Sequence, residues 1–297
     1  MYIETCSLGC SSGAGGNQIS CGVVDVPVNA SIEVHFSRPV DPASVAWATF
    51  QIIDVNTGQV PVGVRYVDPL HPSHVVFQPD VAVDASGQLV FGLHANTTYR
   101  IIIPGLAQGD PGPFITSTDV PALENQSRMV CDINPSLGIQ STGLRYCFAD
   151  GTATHCPCAN SASPAGGCPN SVSVSGASLI GLGISSLSDD HLLLFASGMP
   201  NGLAMFVQGT NSANGGQGFV VGDGLFCLAG RSIRLAQESV VVSSSHYPNI
   251  GDLPISIRGG VSVPGTRTYQ VWYRDPAAFC TNDRFNLTNA LTVTWGL

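Results

Sequence analysis

The sequence predicts an all-β chain of two disulfide-stapled β-sandwich domains, the first Ig-like and the second a jelly-roll-like sandwich. Three observations predict it. Short alternating or β-branched runs recur at roughly 8 to 12 residue spacing with no sustained helical period. Turn formers separate them, led by 34 Gly and 20 Pro. Ten cysteines divide into an amino-terminal four, Cys6, Cys10, Cys21 and Cys131, and a carboxy-terminal six, Cys147, Cys156, Cys158, Cys168, Cys227 and Cys280. Both counts are even, as two separately oxidised modules require. A length of 297 residues gives each of two domains enough chain to bury a core.

Charge narrows the functional classes. Only 10% of residues are charged, the net charge is -9, and all 11 basic residues are Arg. No Lys is present for a Schiff base, a general base or an isopeptide cross-link. With no basic cluster, neither a nucleic-acid partner nor an anionic membrane surface is expected, because phosphate neutralisation needs clustered cations. No apolar run is long enough to cross a bilayer as a helix, so no membrane insertion is expected. Met1-Tyr-Ile-Glu lacks the basic and apolar regions of a signal peptide, and the expectation is a precursor that has lost one. The cysteines place the chain in an oxidising compartment, secreted or at the cell surface.

In order, residues 1–21 read as a Cys/Gly/Ser-rich loop that is ordered only if tied down. Residues 22–118 carry clear strand signals in Ser31-Ile-Glu-Val-His-Phe36, Val62-Gly-Val-Arg-Tyr66, His74-Val-Val-Phe77 and Tyr99-Arg-Ile-Ile-Ile103. Asp54-Val-Asn-Thr-Gly58 reads as a turn, since it lacks the later acidic ligand of a calcium loop. Residues 119–145 have little period and read as a linker, which Cys131 clamps if it returns to the amino-terminal cysteines. Residues 146–297 form the second domain. Its entrance, Tyr146 to Ser171, has no period of its own and needs covalent staples. Ser171-Val-Ser-Val-Ser175, Leu192-Leu-Leu-Phe195, Ala204-Met-Phe-Val207, Val240-Val-Val242, Ile255-Ser-Ile257, Tyr269-Gln-Val-Trp-Tyr273 and Leu291-Thr-Val-Thr-Trp295 are its expected strands. Arg231 to Glu238 is expected as a short helical turn.

Two resemblances follow from particular residues. Pro27 to Val45, Phe50-Gln-Ile52 and Leu93 to Ile103 resemble the bacterial Ig-like domains of S-layer and other surface proteins. That family closes on a last strand, here Phe114-Ile-Thr-Ser-Thr118, and implies a spacer, adhesive or assembly role without an active site. Tyr146-Cys-Phe-Ala-Asp-Gly151, Cys156-Pro-Cys-Ala-Asn160, Gly167-Cys-Pro-Asn-Ser171, Gly222 to Cys227, Tyr269 to Pro276 and Phe279-Cys280 with Phe285 to Trp295 resemble a Cys-rich module at the carboxy terminus of secreted proteins of Planctomycetes and related bacteria. This likeness implies a compartment and a boundary rather than a chemistry.

Several constellations carry candidate chemistry. His155 with Cys147, Cys156, Cys158 and Cys168 offers zinc ligands, but C-x-C is not the usual knuckle and oxidised cysteines are unavailable to a metal. Gly9-Cys-Ser-Ser-Gly13 matches a nucleophile elbow without the strand and helix that elbow serves. His191 and His246, with Asp189, Asp190 or Asp252, are the residues from which a secreted hydrolase would build a triad. His71-Pro-Ser-His74 with Asp68 reads as an exposed turn or, alternatively, a metal site. The adjacent pair Asp189 and Asp190 is the candidate for a structural calcium; no other cofactor is expected. Trp272, Tyr273 and Trp47 are candidates for stacking on glycan rings. The expectation is a non-catalytic structural or interaction protein, a subunit of a surface layer or filament whose partners are identical copies or other surface proteins. A carbohydrate-binding or adhesion module is the alternative, and an unrecognised secreted hydrolase a further one. The amino-terminal loop or the strand Leu291 to Trp295 is the expected point of sheet addition to a neighbour.

Overall fold

A computed structural model describes residues 1–9, 18–152, 154–161, 166–277, 279 and 281–297. The chain is all β, apart from single helical turns. It divides into two units, Met1–Val81 with Val90–Gln140, and Ala82–Leu89 with Ser141–Leu297.

The first unit is a sandwich of two four-stranded sheets. One sheet runs Ile3–Cys6, Ile32–Phe36, His74–Pro79, Gly63–Val67; the other runs Gln18–Pro27, Arg128–Leu137, Tyr99–Ile103, Gln51–Asp54. Alternation decides which side chains enter the core. Ile32, Val34, Phe36, Val75 and Phe77 from the first sheet meet Ile52, Ile101, Ile103, Met129 and Ile133 from the second. Burying each such side chain stabilises the unit by roughly 1.5–3 kcal/mol. Asp54 ends its strand by accepting from the Asn56 N–H at 2.8 Å and the Thr57 hydroxyl at 2.6 Å, which turns the chain from one sheet toward the other.

Three features of this unit differ from the sequence reading. Residues 1–21 contain the strand Ile3–Cys6 and the start of Gln18–Pro27. Phe114 to Thr118 makes only isolated bridges, Val40 with Ser117 and Thr116 with Glu124. The strand that closes the sandwich is Arg128–Leu137, inside the stretch expected as a linker. Its inward residues Met129, Cys131 and Ile133 alternate with the half-buried Val130 and Asp132, and it pairs parallel with Gln18–Pro27 and antiparallel with Tyr99–Ile103.

The second unit packs the sheet Ser141–Thr142, Ser178–Leu182, Leu193–Ser197, Ser244–Tyr247 against a six-stranded sheet. The larger sheet runs Leu144–Tyr146, Ala290–Trp295, Gly265–Arg274, Gly202–Gly209, Ile233–Val240, with Phe285–Leu287 also on Gly265–Arg274. Phe206, Tyr269, Val271, Tyr273, Leu291, Val293 and Trp295 fill the core between the sheets. A second cluster of Cys147, Ala149, Cys156, Cys168, Leu225, Cys227, Leu228 and Ala290 covers the other face, so a cystine-bearing layer lies on the large sheet. This double covering explains why Thr268 to Val271 is buried without alternation.

Local chemistry overrides the strand pattern at two places. Ser171 to Ser175 is a turn, because the Asn170 side chain accepts from the Val172 and Ser173 N–H groups at 3.0 and 2.8 Å. Ile255 to Ile257 lies in the single helical turn Ile255–Arg258, where the Ser256 N–H donates to the Asp190 carboxylate at 2.6 Å. Arg231 to Glu238 is not helical but mostly strand, as Ile233–Val240 pairs with Gly202–Gly209 and buries Leu235 and Val240.

Candidate functional site

The strand Gln18–Pro27 stands at the end of its sheet, with Arg128–Leu137 as its neighbouring strand among the described residues. Ile19 and Val26 point into the core, while Val24 is 70% exposed. Asp25, with φ of 59°, breaks the register; its N–H donates to the Ser136 hydroxyl at 3.1 Å, and that hydroxyl donates back to the Asp25 carboxylate at 2.6 Å. Cys21 stands opposite Cys131 in the parallel register and is bonded to it, with Cα atoms 4.6 Å apart. A ten-residue edge is therefore held in one register by a covalent tie. The expected alternative edge, Leu291 to Trp295, is partly covered: Gly265–Arg274 pairs with it on one side, and Leu144–Tyr146 covers Ala290 to Thr292 on the other.

Cys147, Cys156, Cys168 and Cys227 build the cystine layer. Cys147 is joined to Cys227 and Cys156 to Cys168, at Cα separations of 6.3 and 5.9 Å, and Cys158 is also oxidised. The sulfur ligands of a zinc centre at His155 are consumed by these bonds, and His155 itself is exposed. Gly218, at φ +68°, passes over the first bond so closely that a Cβ there would lie 2.8 Å from Cys147 Sγ. The Gln270 side chain fastens the layer to the sheet: its oxygen accepts from the Cys227 N–H at 3.0 Å, and its amide donates to the Leu225 and Thr288 carbonyls at 2.8 and 2.7 Å. Cys6 differs from the expected pattern. Among the described residues it is a buried free thiol in the first core, while Cys21 and Cys131 are bonded to one another. Cys10 and Cys280, and most of the Gly9 to Gly13 motif, lie outside the described residues.

The aromatic candidates are engaged within the protein to different degrees. Tyr273 is a core residue, fully buried, with its hydroxyl accepting from the Asn170 amide at 2.8 Å and its pKa raised by burial, so it cannot stack on a glycan. Trp272 is half-buried against Phe285, with ring centroids 5.3 Å apart. Trp47, in the first unit, carries the Arg65 guanidinium 4.5 Å above its ring.

Asp189 and Asp190 do different work, which argues against a shared calcium. Asp190 is an acceptor for the Ser256 and Leu192 N–H groups, at 2.6 and 3.1 Å, and burial raises its pKa despite these bonds. Asp189 is more exposed and pairs with His191 Nε2 at 2.9 Å. Asp252 accepts from the Asn249 N–H at 2.8 Å, and His246 lies on Ser244–Tyr247 opposite Phe195.

Sequence reading took His71 and His74 with Asp68 as an exposed turn or, alternatively, a metal site, and missed a larger grouping. His35 and His74 face each other across Ile32–Phe36 and His74–Pro79, their rings stacked 3.6 Å apart and within 3° of parallel. His71 stacks on His74 at 4.9 Å. Glu33 Oε2 lies 3.4 Å from His35 Nε2 and 3.9 Å from His74 Nδ1, and Asp68 Oδ2 lies 2.7 Å from His71 Nδ1. Burial, and then the neighbouring imidazoles, lower the His74 pKa and favour its neutral form. The signal was the two-residue spacing of Glu33 and His35, which puts both on one face of a strand.

No protein-family model matches the chain, and no curated protein does. Solved structures similar to it include native alpha-2-macroglobulin from Escherichia coli spanning domains MG0-NIE-MG1, at 10% identity and TM-score 0.27, covering 89% of this chain and 67% of that one. The N-terminal part of the bacterial S-layer protein SbsC is similar at 9% identity and TM-score 0.27, covering 100% and 44%. A second SbsC structure is similar at 11% identity and TM-score 0.28, covering 99% and 41%. The chain thus spans less than half the length of the SbsC chains, and at these TM-scores the likeness supports no functional statement.

Proposed function

We propose that the chain is an extracellular structural protein, a subunit of a bacterial surface layer or filament that associates with copies of itself or with other surface proteins. The observation that carries this reading is the position of Gln18–Pro27 at the end of its sheet among the described residues, tied to its neighbour through Cys21 and Cys131. Exposed edges usually carry charges or Lys that block sheet addition, whereas this strand has Asp25 as its one charged residue. A rigid edge also loses little conformational entropy when a second strand adds to it. Low overall charge reduces repulsion between packed copies. The cystines support an oxidising compartment, as does the likeness of residues 146–297 to the Cys-rich module of secreted bacterial proteins. The two units are read as two modules serving one scaffold.

Sedimentation velocity with negative-stain microscopy tests this. The wild-type chain is expected to form larger species as concentration rises, and Val24→Lys, which places a charge on the exposed edge, is expected to remain monomeric and folded. A wild-type chain that stays monomeric at high concentration contradicts the proposal.

A further inference from the structure

We propose that Glu33, His35 and His74, with Asp68 and His71 beside them, form a binding site for a divalent transition-metal ion of the zinc class. The five residues come from two neighbouring strands of one sheet and the turn that leads into the second of them. Glu33 and His35 lie on Ile32–Phe36, His74 begins His74–Pro79, and Asp68 follows Gly63–Val67 with its N–H donating to the His74 carbonyl at 2.9 Å. The turn is fixed in place, because the His74 N–H donates to the His71 carbonyl and the Leu70 N–H donates to the Asp68 carboxylate, both at 2.8 Å. A site built on paired strands holds its donors more firmly than one built on a free loop.

The donor spacing fits one small ion. Ligand atoms at tetrahedral zinc distances lie about 3.3 Å from one another. Glu33 Oε2 is 3.4 Å from His35 Nε2 and 3.9 Å from His74 Nδ1, and the donor atoms of this triad all fall within 4.8 Å of one another. Asp68, His71 and His74 meet the same limit, so His74 belongs to both groupings. Binding requires the His35 and His74 rings, stacked 3.6 Å apart and within 3° of parallel, to turn out of that stack so that both nitrogen lone pairs point at one centre. Asp68 then holds His71 through their 2.7 Å contact, the arrangement by which carboxylates orient imidazoles around metals.

Chemistry selects the ion. Imidazole nitrogens with a carboxylate suit Zn²⁺, Cu²⁺ or Ni²⁺, whereas Ca²⁺ takes oxygen ligands. Charge points the same way. The Glu33 and Asp68 side chains are only 7% and 8% exposed, and a divalent cation at the imidazoles between them offsets the cost of burying two carboxylates.

Isothermal titration of the untagged, oxidised full chain with Zn²⁺ tests the site, alongside Ca²⁺ and the absorption spectrum of the Co²⁺ form. A single Zn²⁺ per chain is expected, with d–d bands of a low-coordinate Co²⁺ site and no comparable binding of Ca²⁺. His74→Gln is expected to weaken Zn²⁺ binding at least about 100-fold, and His94→Gln, at an exposed position, to leave it unchanged. Glu33→Gln and His35→Gln provide the same test if His74→Gln alters the far-ultraviolet circular dichroism. No Zn²⁺ binding, Ca²⁺ binding as tight as Zn²⁺, or Zn²⁺ binding unchanged in folded variants of these ligands would each overturn the proposal.

Discussion

Cys21 and Cys131 stand opposite each other in a parallel strand pair, 110 residues apart in sequence and 4.6 Å apart at Cα. The bond ties the two ends of the first sandwich together at the strand pair that ends its sheet among the described residues. The cystines of the second unit act on a different element, the layer that covers its large sheet.

The two described cystines of the second unit are expected to differ in weight. Cys147–Cys227 spans 80 residues and Cys156–Cys168 spans 12. In the chain-entropy account, replacing the longer pair by Ala costs roughly 1.5 kcal/mol more than replacing the shorter one. Urea unfolding of the two double-Ala variants reads this difference; equal losses would show that the longer loop adds no constraint to the unfolded chain.

Asp190 and Asp189 are expected to separate under mutation. Asp190→Ala leaves the buried Ser256 and Leu192 N–H groups without their acceptor and is expected to cost about 1–3 kcal/mol, while Asp189→Ala costs about 0.5 kcal/mol or less. Burial raises the Asp190 pKa above its ordinary 3.8, so the folded chain holds that proton more tightly than the unfolded chain. Its contribution to stability is fully present below that ordinary value and declines as pH rises through the raised one. Carboxyl NMR titration reads the midpoint directly, and a midpoint at or below 3.8 is the contrary result.

Gln270→Ala is expected to destabilise the second unit by about 3 kcal/mol or more, because the Cys227 N–H and the Leu225 and Thr288 carbonyls lose their shared partner in a dry site. Thermal unfolding of the oxidised protein measures this. A loss below about 1 kcal/mol would mean that water replaces the side chain.

Much of the fold was legible from pattern alone. Ser31 to Phe36, Tyr99 to Ile103, Tyr269 to Tyr273 and Leu291 to Trp295 all lie on strands apart from Ser31, because β-branched and aromatic residues fit a pleated, packed surface. Arg128 to Leu137 was hidden: Asp132, Asn134 and Pro135 made it look like a connector, although Met129, Cys131 and Ile133 already alternated. Ile255 to Ile257 and Ser171 to Ser175 misled for a different reason. Their conformations depend on Asp190 and Asn170, and no local period records a side-chain cap. The candidate site was less legible, because Glu33 and His35 meet His74 through strand register, which spacing along the chain does not reveal.

Covalent closure is the claim on which the rest depends, and peptide mapping of native, unreduced protein by mass spectrometry tests it most directly. The expected map contains the linked pairs Cys21–Cys131, Cys147–Cys227 and Cys156–Cys168, with Cys6 alkylated only after unfolding. Recovery of those six cysteines as free thiols from the native protein would contradict the account.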